Sequence, residues 1–101
     1  MVLIMKSVPI VYVGKKGMSF YLNVCLKLLE KGSHEIILEA LGSNICKAVD
    51  VYNYLKYLFG HDTLDIEKVE IDMVEGETVR GLPKKVSRLR IHIIDRAKQA
   101  I

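Results

Sequence analysis

Residues 14–17 read Gly-Lys-Lys-Gly, two adjacent lysines between two glycines, directly after an apolar run. Ammonium groups are compact cations that suit phosphate oxygens, and glycine lets a backbone approach a ligand closely. A solvated surface loop is the plainer explanation, since lysines are mostly exposed. The other residues with chemistry to offer are sparse. His34, His61 and His92 are scattered, and Cys25 and Cys46 have neither zinc-site nor disulfide-framework spacing. No metal or cofactor is expected. Both cysteines fall in helical patterns, where each should behave as a small buried hydrophobe. No Ser-His-Asp grouping, facing pair of acids or nucleophile elbow can be assembled, so neither an enzyme nor a small-molecule substrate is expected.

Standard nucleotide motifs do not account for the loop. A P-loop needs G-x-x-x-x-G-K-[ST], and "GKKGMS" has the wrong spacing. The dinucleotide fingerprint needs three glycines, and two are present. A G-x-x-G loop with basic centre residues is locally like the KH backbone clamp, but that clamp joins two helices. Here the loop follows a strand-like run.

Charge is distributed unevenly. The formal net charge is +3, yet residues 1–34 carry +4, residues 35–79 carry −7 and residues 80–101 carry +6. Basic ends around an acidic middle give a polarised surface if the ends meet in the fold, and segregated cations favour a polyanionic partner. Half of the residues are hydrophobic and 27% are charged, as in a folded domain, and 101 residues allow one core. No apolar run is long enough to span a bilayer. "MVLIM" is too short for a signal peptide's apolar region and lacks a leading positive segment, so an intracellular protein is expected.

The elements that must position the loop follow from periodicity. "VPIVYVG" (8–14) reads as a buried strand. Met18, Tyr21, Leu22, Cys25, Leu28 and Leu29 recur at helical spacing until Lys31–Gly32 stops the helix. "EIILEAL" (35–41) is a second strand, and Ser43 or Asn44 could cap the helix that follows. That helix should bury Ile45, Ala48, Val49, Tyr52 and Leu55. It leaves a surplus stripe of Val51, Tyr54, Leu58 and Phe59 for self-association or a partner. After a turn at 59–62, "LDIEKVEIDMV" (64–74) alternates but changes parity at Glu67–Lys68, which predicts a β-bulge. Residues 75–85 read as a loop. "VSRLRIHII" (86–94) puts Leu89, Ile91 and Ile93 on one side and Arg88, Arg90 and His92 on the other. The tail from Asp95 is expected to fray. The order β-α-β-α-β-β implies a right-handed parallel crossover and a terminal hairpin. The expected fold is an α/β (α+β) two-layer sandwich, a mixed four-stranded sheet with both helices on one face.

"VYVGKK" before a helix, then "EIILEALG", Ile45 and "KAVDV" in this order, resembles the Alba family of archaeal chromatin and RNA-binding proteins over residues 8–94. "KAVDVYNYL" (47–55) is similar to the second, paralogous Alba type. The resemblance implies a single Alba-like domain over 1–101, cytoplasmic and chromosome-associated. It implies an architectural dimer that grips duplex DNA without sequence preference, with RNA open as a target. Lys15 and Lys16 would track the phosphate backbone, Lys15 being a site of acetylation in some members. Lys47 matches a further basic residue of the pattern. Arg80, Lys84, Lys85 and Arg88, with Arg90 beyond them, would supply the hairpin arm and its root. Phe59, with Tyr54 and Leu58, would pack dimer against dimer. Glu39, Leu41 and Ser43 stand where three basic residues are common in the family. That departure supports a second reading, an assembly subunit with weak DNA binding of its own. It would pair with a more basic Alba paralogue or serve in a ribonucleoprotein.

Overall fold

A computed structural model describes residues 7–98. "MVLIM" and the last part of the expected fraying tail, residues 99–101, lie outside the described residues. The order is β1 (Ile10–Val13), α1 (Met18–Glu30), β2 (Glu35–Leu41), α2 (Ile45–Asn53), β3 (Leu64–Glu77) and β4 (Pro83–Asp95). The sheet order is β1-β2-β4-β3, with β1 parallel to β2 and the other pairs antiparallel. This is the expected mixed four-stranded sheet with two helices.

Alternation along the strands decides which face the helices cover. Val11 and Val13 of β1, Ile36, Leu38 and Ala40 of β2, and Leu89, Ile91 and Ile93 of β4 are buried on one side. Tyr21, Leu22, Cys25 and Leu29 of α1, Ala48, Val51 and Tyr52 of α2, and Leu55 just beyond α2 complete that core. Leu38, fully buried, lies between Val11 and Ile91 in the register, and burying such a side chain stabilises by about 1.5–3 kcal/mol. Cys25 is also fully buried, and desolvation pushes its thiol pKa up to about 12, so it stays protonated.

Several local expectations are corrected. Val51 is fully buried and Val49 is 39% exposed, so the buried stripe runs through Ala48, Val51 and Tyr52 to Leu55 just past α2, with Ile45 partly buried against the core. Neither Ser43 nor Asn44 caps α2 through its side chain. Residues Gly42–Asn44 form a 3-10 turn that runs into the helix. Cys46 is exposed rather than buried. The 75–85 loop is mostly ladder, since Glu75, Gly76 and Glu77 pair with Lys85, Lys84 and Pro83. The start of the tail does not fray: Asp95 N–H donates to His34 O at 2.8 Å and Arg96 N–H to Thr63 O at 3.0 Å.

The bulge occurs where the parity change put it, between Ile66 and Lys68. It returns Val69 and Ile71 to register opposite Ile91 and Leu89, on the helix side of the sheet. The helices do not reach that far, however, and Val69, Ile71 and Met73 are 47%, 77% and 62% exposed. Among the described residues no helix is long and apolar enough to cross a membrane.

Candidate nucleic-acid interface

The lysine loop is held from both sides of its backbone. Tyr21 is one turn into α1 and buried, and its hydroxyl accepts from Gly14 N–H at 2.8 Å and Lys16 N–H at 3.1 Å. Lys47, in the first turn of α2, donates its ammonium to Gly14 O at 2.6 Å and Lys16 O at 2.7 Å. The loop therefore has donors and acceptors satisfied by two different helices, which preorganises a segment that would otherwise be mobile. Gly17 is extended and opens α1, whose first turn holds no acidic side chain to oppose an anion.

The two loop side chains are left to solvent. Lys15 and Lys16 are exposed, and no carboxylate among the described residues pairs with either. The Lys16 ammonium sits 4.4 Å from the centre of the Phe20 ring, a cation–π contact that gives the side chain a preferred place. Lys47 plays another part. Half-buried, it donates its ammonium to two loop carbonyls and so braces the loop beneath Lys15 and Lys16. Sequence reading missed Tyr21 as a support because it counted as part of the helical stripe, and Phe20 because it falls outside that stripe.

The arm is the part of β3 and β4 that outruns the rest of the sheet. β2 ends at Leu41, opposite Arg88, while the β3–β4 ladder continues to Glu77–Pro83. Five further residues of β4 at about 3.4 Å each make a projection of about 17 Å. Its tip is closed by Gly81 N–H to Thr78 O at 2.9 Å and Thr78 N–H to Leu82 O at 2.9 Å, with Gly81 at φ +80. Arg80, Lys84 and Lys85 are exposed on it, together with Glu75, opposite Lys85, and Glu77, so cations outnumber acids there by three to two. At its root, Gly42 has φ +54, and a Cβ there would lie 3.3 Å from Val86 of the arm. Parallel pairing places Val13 opposite Ala40, so the lysine loop leaves the sheet at the end from which the arm projects. The basic segments from the two ends of the polypeptide thus share one end of the sheet.

Between loop and arm, the cations are spent. Arg90 Nε donates to Glu39 at 2.5 Å, and Arg88 makes a two-point ion pair with Asp72, one bond measuring 2.8 Å. His92 meets Glu70 at 2.5 Å. These groups lie on the sheet face opposite the helices. Arg88 holds the Asp72 carboxyl below the usual range, and His92 does the same to Glu70. A phosphate at either arginine would meet a cation whose charge is already balanced by a carboxylate. Leu41 and Ser43, exposed beside the loop, add no charge.

Tyr54, Leu58 and Phe59 are 40%, 68% and 51% exposed, and Tyr57, which the sequence reading passed over, is 70% exposed. Residues Tyr54–Leu58 form a π-turn, with Phe59 N–H bonding Tyr54 O at 2.9 Å. The wider turn changes the helical phase after Asn53, so these side chains leave the core stripe. Among the described residues no three potential metal ligands gather.

Known proteins agree with this architecture. The sequence profile of the Alba family matches residues 9–72. The DNA/RNA-binding protein Alba of Nanoarchaeum equitans (strain Kin4-M) is 29% identical over 87 residues, covering 85% of this chain and 97% of its own. Among solved structures, Alba from Thermoplasma volcanium is similar with a TM-score of 0.78 at 28% identity, covering 84% of this chain and 98% of that one. ALBA1 from Trypanosoma brucei, at 24% identity, shares the fold with a TM-score of 0.67, covering 93% of this chain and 78% of its own. With more than half of its length inside the profile and the same fold throughout, the chain belongs to the Alba family.

Proposed function

We propose that this chain is a nucleic-acid-binding architectural protein and not an enzyme, one domain over residues 1–101 acting as a dimer on duplex DNA without sequence preference. RNA is a second target, in keeping with the name of the Nanoarchaeum relative, a DNA/RNA-binding protein. Lys15 and Lys16 meet the phosphate backbone and Arg80, Lys84 and Lys85 of the arm extend the contact. The observation that carries this reading is the shared end of the sheet, where two unpaired loop lysines and a basic projection stand together. Contacts to phosphate position a protein without reading bases, which suits a general binder. Arg88 and Arg90, each paired with a carboxylate, contribute less than the unpaired lysines, and Lys47 contributes by holding the loop. Acetylation of Lys15 would remove one cation and weaken the grip. Such a protein works in the cytoplasm on the chromosome.

The test is a salt titration of binding to duplexes of unrelated sequence. Lys15→Ala with Lys16→Ala should weaken all of them alike, and the slope of log K against log salt should become shallower by about 0.9 per lysine lost. Unchanged affinity at low salt would refute the assignment.

A second reading is favoured by the Glu39–Arg90 pair and by the exposed Tyr54–Phe59 cluster. In it the chain is of the second Alba type, binds DNA weakly alone, and pairs with a more basic Alba paralogue or joins a ribonucleoprotein.

A further inference from the structure

We infer that the shallow groove beside the lysine loop is a stacking site for one unpaired nucleobase, held by Tyr12 and read by Glu39 and Asn44. The inference rests on the nucleic-acid reading above and adds a ligand that a closed duplex cannot offer, since its bases are already stacked and paired.

Tyr12 is the starting point. Val11 and Val13 dip into the core, so alternation puts the Tyr12 ring on the open face of edge strand β1, where it is 64% exposed. It makes no ring–ring or cation–ring contact among the described residues. The ring borders a groove of about 200 Å³ that also includes Gly14, Glu39, Leu41 and Asn44. Clefts that engulf drug-sized ligands hold roughly 300–1,000 Å³. This one suits a single flat ring system.

Charge identifies the occupant. The Gly14 end of the groove adjoins Lys15 and Lys16, which attract phosphate. Inside, the Glu39 carboxylate is 11% exposed and its charge is met by Arg90, so it offers the groove an acceptor for an N–H of a base edge rather than a free negative charge. Arg90 occupies its Oε1, and a carboxylate retains further lone pairs. Asn44 does not cap α2 with its side chain, so its amide offers both a donor and an acceptor. A nucleotide fits this arrangement with its phosphate on the lysines, its base on Tyr12 and an exocyclic amino group towards Glu39. Carboxylates accept from cytosine N4 in this way, whereas uracil presents an oxygen at the same place.

The experiment compares fluorescently labelled oligocytidylate, oligouridylate, an abasic strand of equal length and a duplex. Tyr12→Ala should weaken oligocytidylate binding about 5- to 150-fold, the usual effect of losing one stacking ring. Tyr12→Phe should keep most of it, and both variants should bind the duplex like the parent. Oligocytidylate should bind more tightly than oligouridylate, and Glu39→Gln should narrow that difference. The inference is overturned, and the lysine reading survives, if both Tyr12 variants bind oligocytidylate like the parent while Lys15→Ala with Lys16→Ala weakens it. It is overturned without any variant if the parent binds the abasic strand as tightly as oligocytidylate. If the double lysine variant changes nothing on any strand, both readings fall.

Discussion

A lysine in the first turn of a helix faces the positive end of the helix dipole, so Lys47 needs an anion or a set of carbonyls to be at ease. It has the carbonyls of Gly14 and Lys16. Its residue type and position are legible in the sequence, but its role is not. A lysine that binds phosphate and a lysine that braces the loop beneath the phosphate look alike on paper. The salt slope separates them. Lys47→Met should lower duplex affinity several-fold by loosening residues 14–16, yet leave the slope unchanged, because no phosphate contact is lost. A slope shallower by about 0.9 would show that Lys47 touches the backbone after all. Lys15 and Lys16 are easier to read, because glycines on both sides and a helix start after them leave few other uses for paired cations.

Strand β3 was readable down to its bulge, because a parity change in an alternating strand has one simple remedy. The length of the β3–β4 hairpin was hidden by its own residues. Gly76, Gly81 and Pro83 resemble loop composition, yet Pro83 ends the ladder, where an absent N–H matters least. Gly76 sits where a Cβ would come within 3.0 Å of Val86. The hairpin is laced by charge as well. Lys56 first and then Arg96 hold the Asp65 carboxyl down, His92 holds Glu70 down, and Arg88 holds Asp72 down. A carboxylate with a lowered pKa binds fewer protons folded than unfolded, so its stabilisation is present above the ordinary value and is lost as pH falls through the lowered one. The ordinary values are 3.8 for the aspartates and 4.5 for Glu70. On this account the melting temperature should be level down to about pH 5 and then fall. Asp72→Asn should flatten part of the fall. A melting temperature that rises on acidification would contradict the ion-pair account.

At the scale of the whole molecule, the surface has more apolar area than one chain can cover. The Tyr54–Phe59 cluster and the Val69, Ile71 and Met73 side of β3 are both exposed. Exposed apolar patches of this kind mark association sites. The two functional readings make different demands on them. If the chain is an autonomous architectural protein, mass measurement after mixing it with a basic Alba relative should find homodimers that bind DNA unaided. If it is an assembly subunit, mixing should yield heterodimers, and the mixture should bind DNA more tightly than this chain alone.

Sequence alone determined the element order, the bulge, the central strand faces and the lysine loop. All of these depend on local periodicity and on residues close together along the chain. Tertiary structure decided which α2 stripe is buried, since 45-48-49-52-55 and 48-51-52-55 both satisfy helical spacing and only the position of the sheet and α1 chooses between them. It also decided which cations are available. Glu39 and Arg90 are 51 residues apart, and Lys47 is 33 and 31 residues from the two loop carbonyls it holds, and folding alone brings such groups within reach of each other. Coulomb interactions depend on distance in space, and a list of residues does not contain that distance.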